Sequence, residues 1–416
     1  MTAAGNPRLR NLEAFPVEHE GQRCIALRDP AGFTDQIALL PGPLLDLVSL
    51  FDGEHSIEAI RLVLERRHGE APTIEQIAMV VEGLDTAGFL ESDRFQARRR
   101  ALEDDFRRSP VRAATHAGGA YAGDPAALAA QIDGFFTGPG GPGRATPPGP
   151  AHRTAGGAGS IHGLIAPHID FHRGGPGYAW AYREVVERSD ADLYVILGTC
   201  HAGMDNPFAV TLKPYDTPLG AVSVDREFYE ALARRAGQDL LASEPAHRTE
   251  HSIEFQAVML QHLVGPRRPF IIMPVLASYL HEALWAGGEP EVDPRIPRFV
   301  DALRETVAAS SRRVCLIAGV DLAHVGPRFG DAQPNTAGSL AQVERADRSM
   351  LERVLAVDPR GFFESVAADG DARRICGLSP IYTLLRLLPE RPGRLLDYRQ
   401  WPDPDNAVTF CAVSYA

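Results

Sequence analysis

The chain has 416 residues, 44% of them hydrophobic, and a formal net charge of -12. That length supports one large core and a smaller one, and the acidic balance, with Lys213 the single lysine, leaves no basic stripe for a nucleic acid. No apolar run approaches the roughly 18 residues of a membrane span, and the opening MTAAGNPRLRNLEAF lacks a signal-peptide core, so we expect a cytoplasmic protein with no membrane partner. Cys24, Cys200, Cys315, Cys376 and Cys411 are odd in number and scattered, which argues against a disulfide framework.

Along the chain, CIALRDPAGF and QIALLPG read as short strands. Helical spacing follows at Leu44, Leu47, Val48 and Phe51, then Ile57, Ile60 and Leu64, then Ile77, Val80, Val81 and Leu84. Short strands followed by helices predict a small winged-helix-like α+β domain over residues 1–95. The phrases LFDGEHSIEAI and LDTAGFLES resemble the PqqD-like family. That resemblance implies recognition of a peptide or of a partner enzyme in a peptide-modifying system. A helical accessory domain without a ligand is the alternative. The run RFQARRRALEDDFRR, residues 94–108, is strongly charged and reads as a solvated helix or linker, so residues 96–110 are taken as a charged link.

The large domain is expected over residues 111–416. TGPGGPGRATPPGP, residues 137–150, is too rich in Gly and Pro for a helix or central strand and reads as a surface loop inside it. Beyond Gly159 the apolar runs IHGLIA, LYVILG, PFIIMPVL and RVCLIAGV alternate with amphipathic stretches. This pattern predicts an α/β fold with a mostly parallel central sheet flanked by helices. RLLDYRQW and AVTFCAVSYA add two further strands near the end.

Ligands of open parallel sheets bind beyond the carboxyl ends of the strands. Here GLIAP runs into His168, LYVILGTC into His201, and RVCLIAGV into Asp321 with His324 three residues on. Two further groups can join them. Glu250 and His251 precede a helix in TEHSIEFQ, and Cys376 stands ahead of the helix SPIYTLLRLL, where the helix dipole is expected to lower the thiol pKa. A Cys/His nucleophile site would need one oriented base. The imidazoles outnumber that need, which favours a metal.

The motifs THAGGAYAG, LIAPHIDF, VILGTCH, TEHSIEFQ, AGVDLAHVG and ICGLSPI resemble the Memo family, also called AmmeMemoRadiSam system protein B, whose fold is similar to LigB-type class III extradiol dioxygenases. The resemblance covers about residues 110 to 416. It implies a mononuclear redox metal on His168, His201 and Cys376, with Fe(II) first and copper or zinc as alternatives. Asp321 and His324 would act as acid/base groups, and Glu250 and His251 would line the pocket with them. Asp170, His172 and Arg173 depart from the family phrase and add an acid, an imidazole and a guanidinium on the substrate side, where His116 also falls. Three functions stay open: an O2-dependent or redox enzyme on a small organic or peptide substrate in a radical-SAM-associated system, a metal-binding or partner-docking protein without turnover, and a zinc hydrolase or lyase.

Overall fold

The computed structural model describes residues 6–146 and 160–416. It divides into two compact units, residues 6–108 with 327–333, and residues 109–326 with 334–416.

The first unit opens with an antiparallel sheet of β1 (Glu13–His19), β2 (Gln22–Arg28) and β3 (Ile37–Pro41), in the order β1-β2-β3. Four helices follow: α1 (Gly42–Val48), α2 (Ile57–His68), α3 (Ile74–Ala87) and α4 (Asp93–Arg108). Ser56 caps α2 by accepting from Ala59 N, and Thr73 with Gln76 forms a reciprocal capping box on α3. The apolar positions at helical spacing meet in one core, where Leu47, Val48, Phe51, Ile60, Leu64, Ile77 and Leu84 are buried. The charged stretch expected as a link is α4, and it groups with this unit, where Phe95 packs against Phe33 and the Arg10 guanidinium.

The second unit contains α5 (Pro125–Thr137), β4 (Gly163–Ala166), α6 (Phe171–Arg188), β5 (Leu193–Thr199), β6 (Phe208–Val210), α7 (Arg226–Ala236), α8 (His251–Leu263), β7 (Ile271–Ala277), α9 (Leu280–Trp285), α10 (Arg295–Ala309), β8 (Val314–Gly319), β9 (His324–Val325), α11 (Ala337–Leu355), α12 (Pro359–Ala367), α13 (Leu378–Leu387), β10 (Arg394–Trp401) and β11 (Ala407–Tyr415). Of the Gly/Pro run, residues 138–146 are irregular and residues 147–150 lie outside the described residues.

The sheet order is β10-β11-β4-β8-β5-β7-β6, with β9 also paired to β11. The four central strands β4, β8, β5 and β7 are parallel, and the flanking pairs are antiparallel. Parallel strands buried on both faces explain the continuous apolar runs. Along β5, Leu193, Val195 and Leu197 enter the core layer shared with α7, α10 and α13, while Tyr194 and Ile196 enter the layer shared with α5, α6 and α8. The fold is therefore the expected α/β sheet between two helical layers, with its parallel character confined to the centre.

Candidate metal centre

The carboxyl ends of β4, β5 and β8 lie side by side, because β4 pairs with β8 and β8 with β5. Each is followed within two residues by a costly side chain: His168 after β4, His201 after β5, and Asp321 after β8. The amino end of α8 closes over the same edge. Its close approach needs glycine in the strands beneath: a Cβ on Gly198 would lie 2.5 Å from Ser252 Oγ, and one on Gly319 would lie 2.6 Å from the Ser252 carbonyl oxygen. This packing brings His251, the first residue of α8, to the strand-end histidines.

Each pair of the three imidazoles is in contact. Ring centroids are 4.9 Å apart for His168 and His201, 5.0 Å for His168 and His251, and 4.6 Å for the stacked pair His201 and His251. One potential ligand atom from each lies within 4.8 Å of the others. The Nδ1 atoms face acceptors. His168 Nδ1 sits 3.0 Å from the Gly319 carbonyl oxygen, which only accepts, so it carries the proton and leaves Nε2 as the acceptor nitrogen, facing Cys376 Sγ. His201 Nδ1 is 3.0 Å from Glu250 Oε2, and His251 Nδ1 is 3.4 Å from Glu250 Oε1.

Glu250 is the N-cap of α8, where it accepts from Ser252 N at 2.9 Å and from His201 N at 2.9 Å. Burial would raise its pKa, but the facing His201 and His251 imidazoles, with hydrogen bonds from His201, hold it well below the usual carboxylate range. It is therefore an anionic acceptor that fixes the His201 tautomer and lies beside His251 Nδ1. Burial pushes the His168 pKa far down, reinforced by His201, and takes that of His251 down to about 3. Both rings are neutral near pH 7, the form in which imidazole binds a metal.

Cys376 reaches the cluster from the loop before α13. Its Sγ lies 3.3 Å from His168 Nε2, and its carbonyl accepts from Thr199 Oγ1 at 3.1 Å. The expected lowering of its pKa by the helix dipole is overturned. Burial, followed by the Asp321 charge, pushes the thiol well above its ordinary value. Asp321 accepts from His168 N at 3.0 Å, and its Oδ2 is 3.8 Å from His168 Nε2; burial raises its carboxyl to about 7. His324, at the start of β9, has its Nδ1 3.2 Å from the Leu322 carbonyl oxygen and its pKa lowered by burial to about 4.

The residues expected on the substrate side separate. Arg173 is ion-paired to Asp170, the N-cap of α6, at 2.6 Å, and its charge acts on both Asp321 and His324. His172 is exposed on the first turn of α6. His116 packs edge-on to His251 with centroids 5.5 Å apart, and its Nε2 is 2.8 Å from the Thr249 carbonyl oxygen. Sequence reasoning missed the Gly319 carbonyl and Arg112. The first is a main-chain atom with no residue signature, and the second is one arginine in an arginine-rich chain.

A family model described as "Memo-like protein" matches residues 112–416. The chain belongs to the Memo-like family. A MEMO1 family protein of Aquifex aeolicus is 26% identical over 405 residues, 97% of each chain. Another from Methanopyrus kandleri is 29% identical over 289 residues, covering 68% of this chain and 89% of its own. A third, from Thermus thermophilus, is 26% identical over 345 residues, 83% of this chain and 93% of its own. In this Memo-like chain the family match begins at Arg112, three residues into the second unit. Among the described residues no helix is long and apolar enough to cross a membrane.

Proposed function

We propose that this Memo-like protein holds one transition-metal ion on His168, His201 and His251, with Cys376 as a fourth donor, and uses it in O2-dependent or redox chemistry on an organic or peptide substrate. The observation that carries this reading is the orientation of the rings. Each of the three has Nδ1 near an acceptor, Gly319 O or the Glu250 carboxylate, and one possible ligand atom from each ring lies within 4.8 Å of the others. Metal-bound histidines are held in this way by a carboxylate or carbonyl behind them. The 3.3 Å between Cys376 Sγ and His168 Nε2 suits two donors sharing one ion at ordinary Zn–S and Zn–N lengths of about 2.3 and 2.0 Å.

Imidazole and thiolate together suit iron, copper(I) or zinc, and we assign Fe(II) from the family resemblance. Such an ion would supply one-electron chemistry and open positions for O2 or substrate. The chain supplies the rest: Glu250 keeps the His201 tautomer fixed, and Asp321, 3.8 Å from His168 Nε2, is placed to take up or release a proton with His324 nearby. Arg173, steadied by Asp170, offers a cation to an acidic substrate group, with His116 and His172 as further substrate contacts.

Three imidazoles also form the donor set of zinc enzymes that activate water, which supports a hydrolase or lyase as the second reading. Oxygen uptake by iron-loaded protein in the presence of candidate peptides separates the two. Turnover that requires oxygen and iron supports the first reading; equal turnover by the zinc form under anaerobic conditions supports the second. For the N-terminal unit, the PqqD-like phrases support capture of a peptide or a radical-SAM partner. A pull-down in which deletion of residues 1–108 changes no captured protein would contradict that role.

A further inference from the structure

Behind the imidazoles lies a second buried assembly that the metal reading does not use. Arg112 is fully buried, and its guanidinium makes four hydrogen bonds. Nε donates to the His247 carbonyl at 3.0 Å, one terminal nitrogen donates to Ala113 O at 2.7 Å and to the Glu254 carboxylate, and the other donates to Glu250 O at 2.6 Å. Glu254, also fully buried, takes hydrogen bonds from Thr115 Oγ1 at 3.2 Å, His116 N at 3.0 Å and the Tyr121 hydroxyl.

The acceptors chosen by Arg112 are informative. His247 and Glu250 bracket the turn that leads into α8, and the next residue is His251. Glu254 stands four residues after Glu250, on the same side of the helix. One guanidinium thus grips the main chain of the turn and the first full turn of the helix together. The side chain of the gripped Glu250 orients both His201 and His251, and His116, held by Glu254, packs on the His251 ring.

We infer that Arg112 and Glu254 are positioning residues for the metal centre: their ion pair sets the angle at which Glu250 and His251 face His168 and His201. The inference rests on the metal reading above and deepens it. A planar guanidinium with four fixed acceptors has no equivalent in lysine. Its loss would let the turn rotate, and misaligned supporting groups typically weaken metal binding by about 10- to 100-fold.

The test is a cobalt(II) titration of the full chain, following Kd and the visible absorption bands of the bound ion, beside the melting temperature of the metal-free protein. The variants are Glu254→Gln, the charge-free pair Arg112→Met with Glu254→Met, and Tyr121→Phe, which removes one hydrogen bond and little packing. The double variant avoids an unpaired buried charge. We expect Kd to rise about tenfold or more in folded Glu254→Gln and in the double variant, with shifted bands, and to rise less in Tyr121→Phe. Unchanged Kd and bands in any folded variant of the ion pair would overturn the inference. So would loss of folding in those variants together with an unchanged Tyr121→Phe, which would assign the network to stability alone. If the unmodified protein binds no cobalt, the metal reading fails first, an outcome distinct from equal binding by all forms.

Discussion

Each unit buries an arginine against a carboxylate, and the two pairs stand in different company. In the N-terminal unit Arg10 meets both oxygens of Asp29 at 3.0 Å, donates to Gly88 O at 2.7 Å, and lies 3.8 Å from the centre of the Phe95 ring. Asp29 in turn accepts from the amides of Ala31, Phe33 and Thr34. These contacts close a loop over a core. In the α/β unit the Arg112–Glu254 pair borders three imidazoles whose Nδ1 atoms face the Gly319 carbonyl or the Glu250 carboxylate and whose possible ligand atoms lie within 4.8 Å of one another. Burial of charge therefore does not by itself mark a site; a convergence of possible metal donors beside it does.

Three substitutions sharpen this contrast. Asp29→Ala strands Arg10 in the core and should cost about 3–5 kcal/mol in urea unfolding of the N-terminal unit, while metal content stays at the unmodified level. Glu250→Gln keeps the size of the cap but removes the anionic acceptor behind two rings, so metal affinity should fall about 10- to 100-fold, as read by competition with a chelator. If the two variants had the same effect on metal, the distinction between the two regions would be broken.

The third substitution uses pH. His247 is buried between Tyr215 OH at 2.9 Å and Ala209 O at 3.0 Å, and burial lowers its pKa from 6.5 to about 3. The unfolded chain takes up a proton near pH 6.5 that the folded chain refuses. Its contribution is intact above pH 6.5 and is lost as pH falls toward 3, by about 2 kcal/mol at pH 5. His247→Gln should make unfolding of the metal-free α/β unit less pH-dependent between pH 7 and pH 5 by that amount, as read by urea titration at both pH values.

Much of the fold was legible because its physics is periodic. The parallel strands announce themselves as apolar runs, and the N-terminal helices as apolar stripes. β6 and β9 are three and two residues long and carry no pattern to read. β1 alternates only between half-buried and exposed positions, so its apolar signal is faint. In the site, His168, His201 and Asp321 could be placed because each follows a strand and the sheet order aligns strand ends. His251 read as a pocket residue, since its arrival among the other rings depends on α8 docking against Gly198 and Gly319. Cys376 could be placed near the cluster, whereas the direction of its pKa could not, because burial depends on the whole fold.

The most direct test of the three-histidine centre is the metal content of anaerobically purified protein, unmodified and as His251→Ala, His201→Ala and Cys376→Ala. The expected result is close to one ion per chain, lost in both histidine variants and weakened in Cys376→Ala. Full metal retained in His251→Ala, or no metal in the unmodified protein, would contradict it.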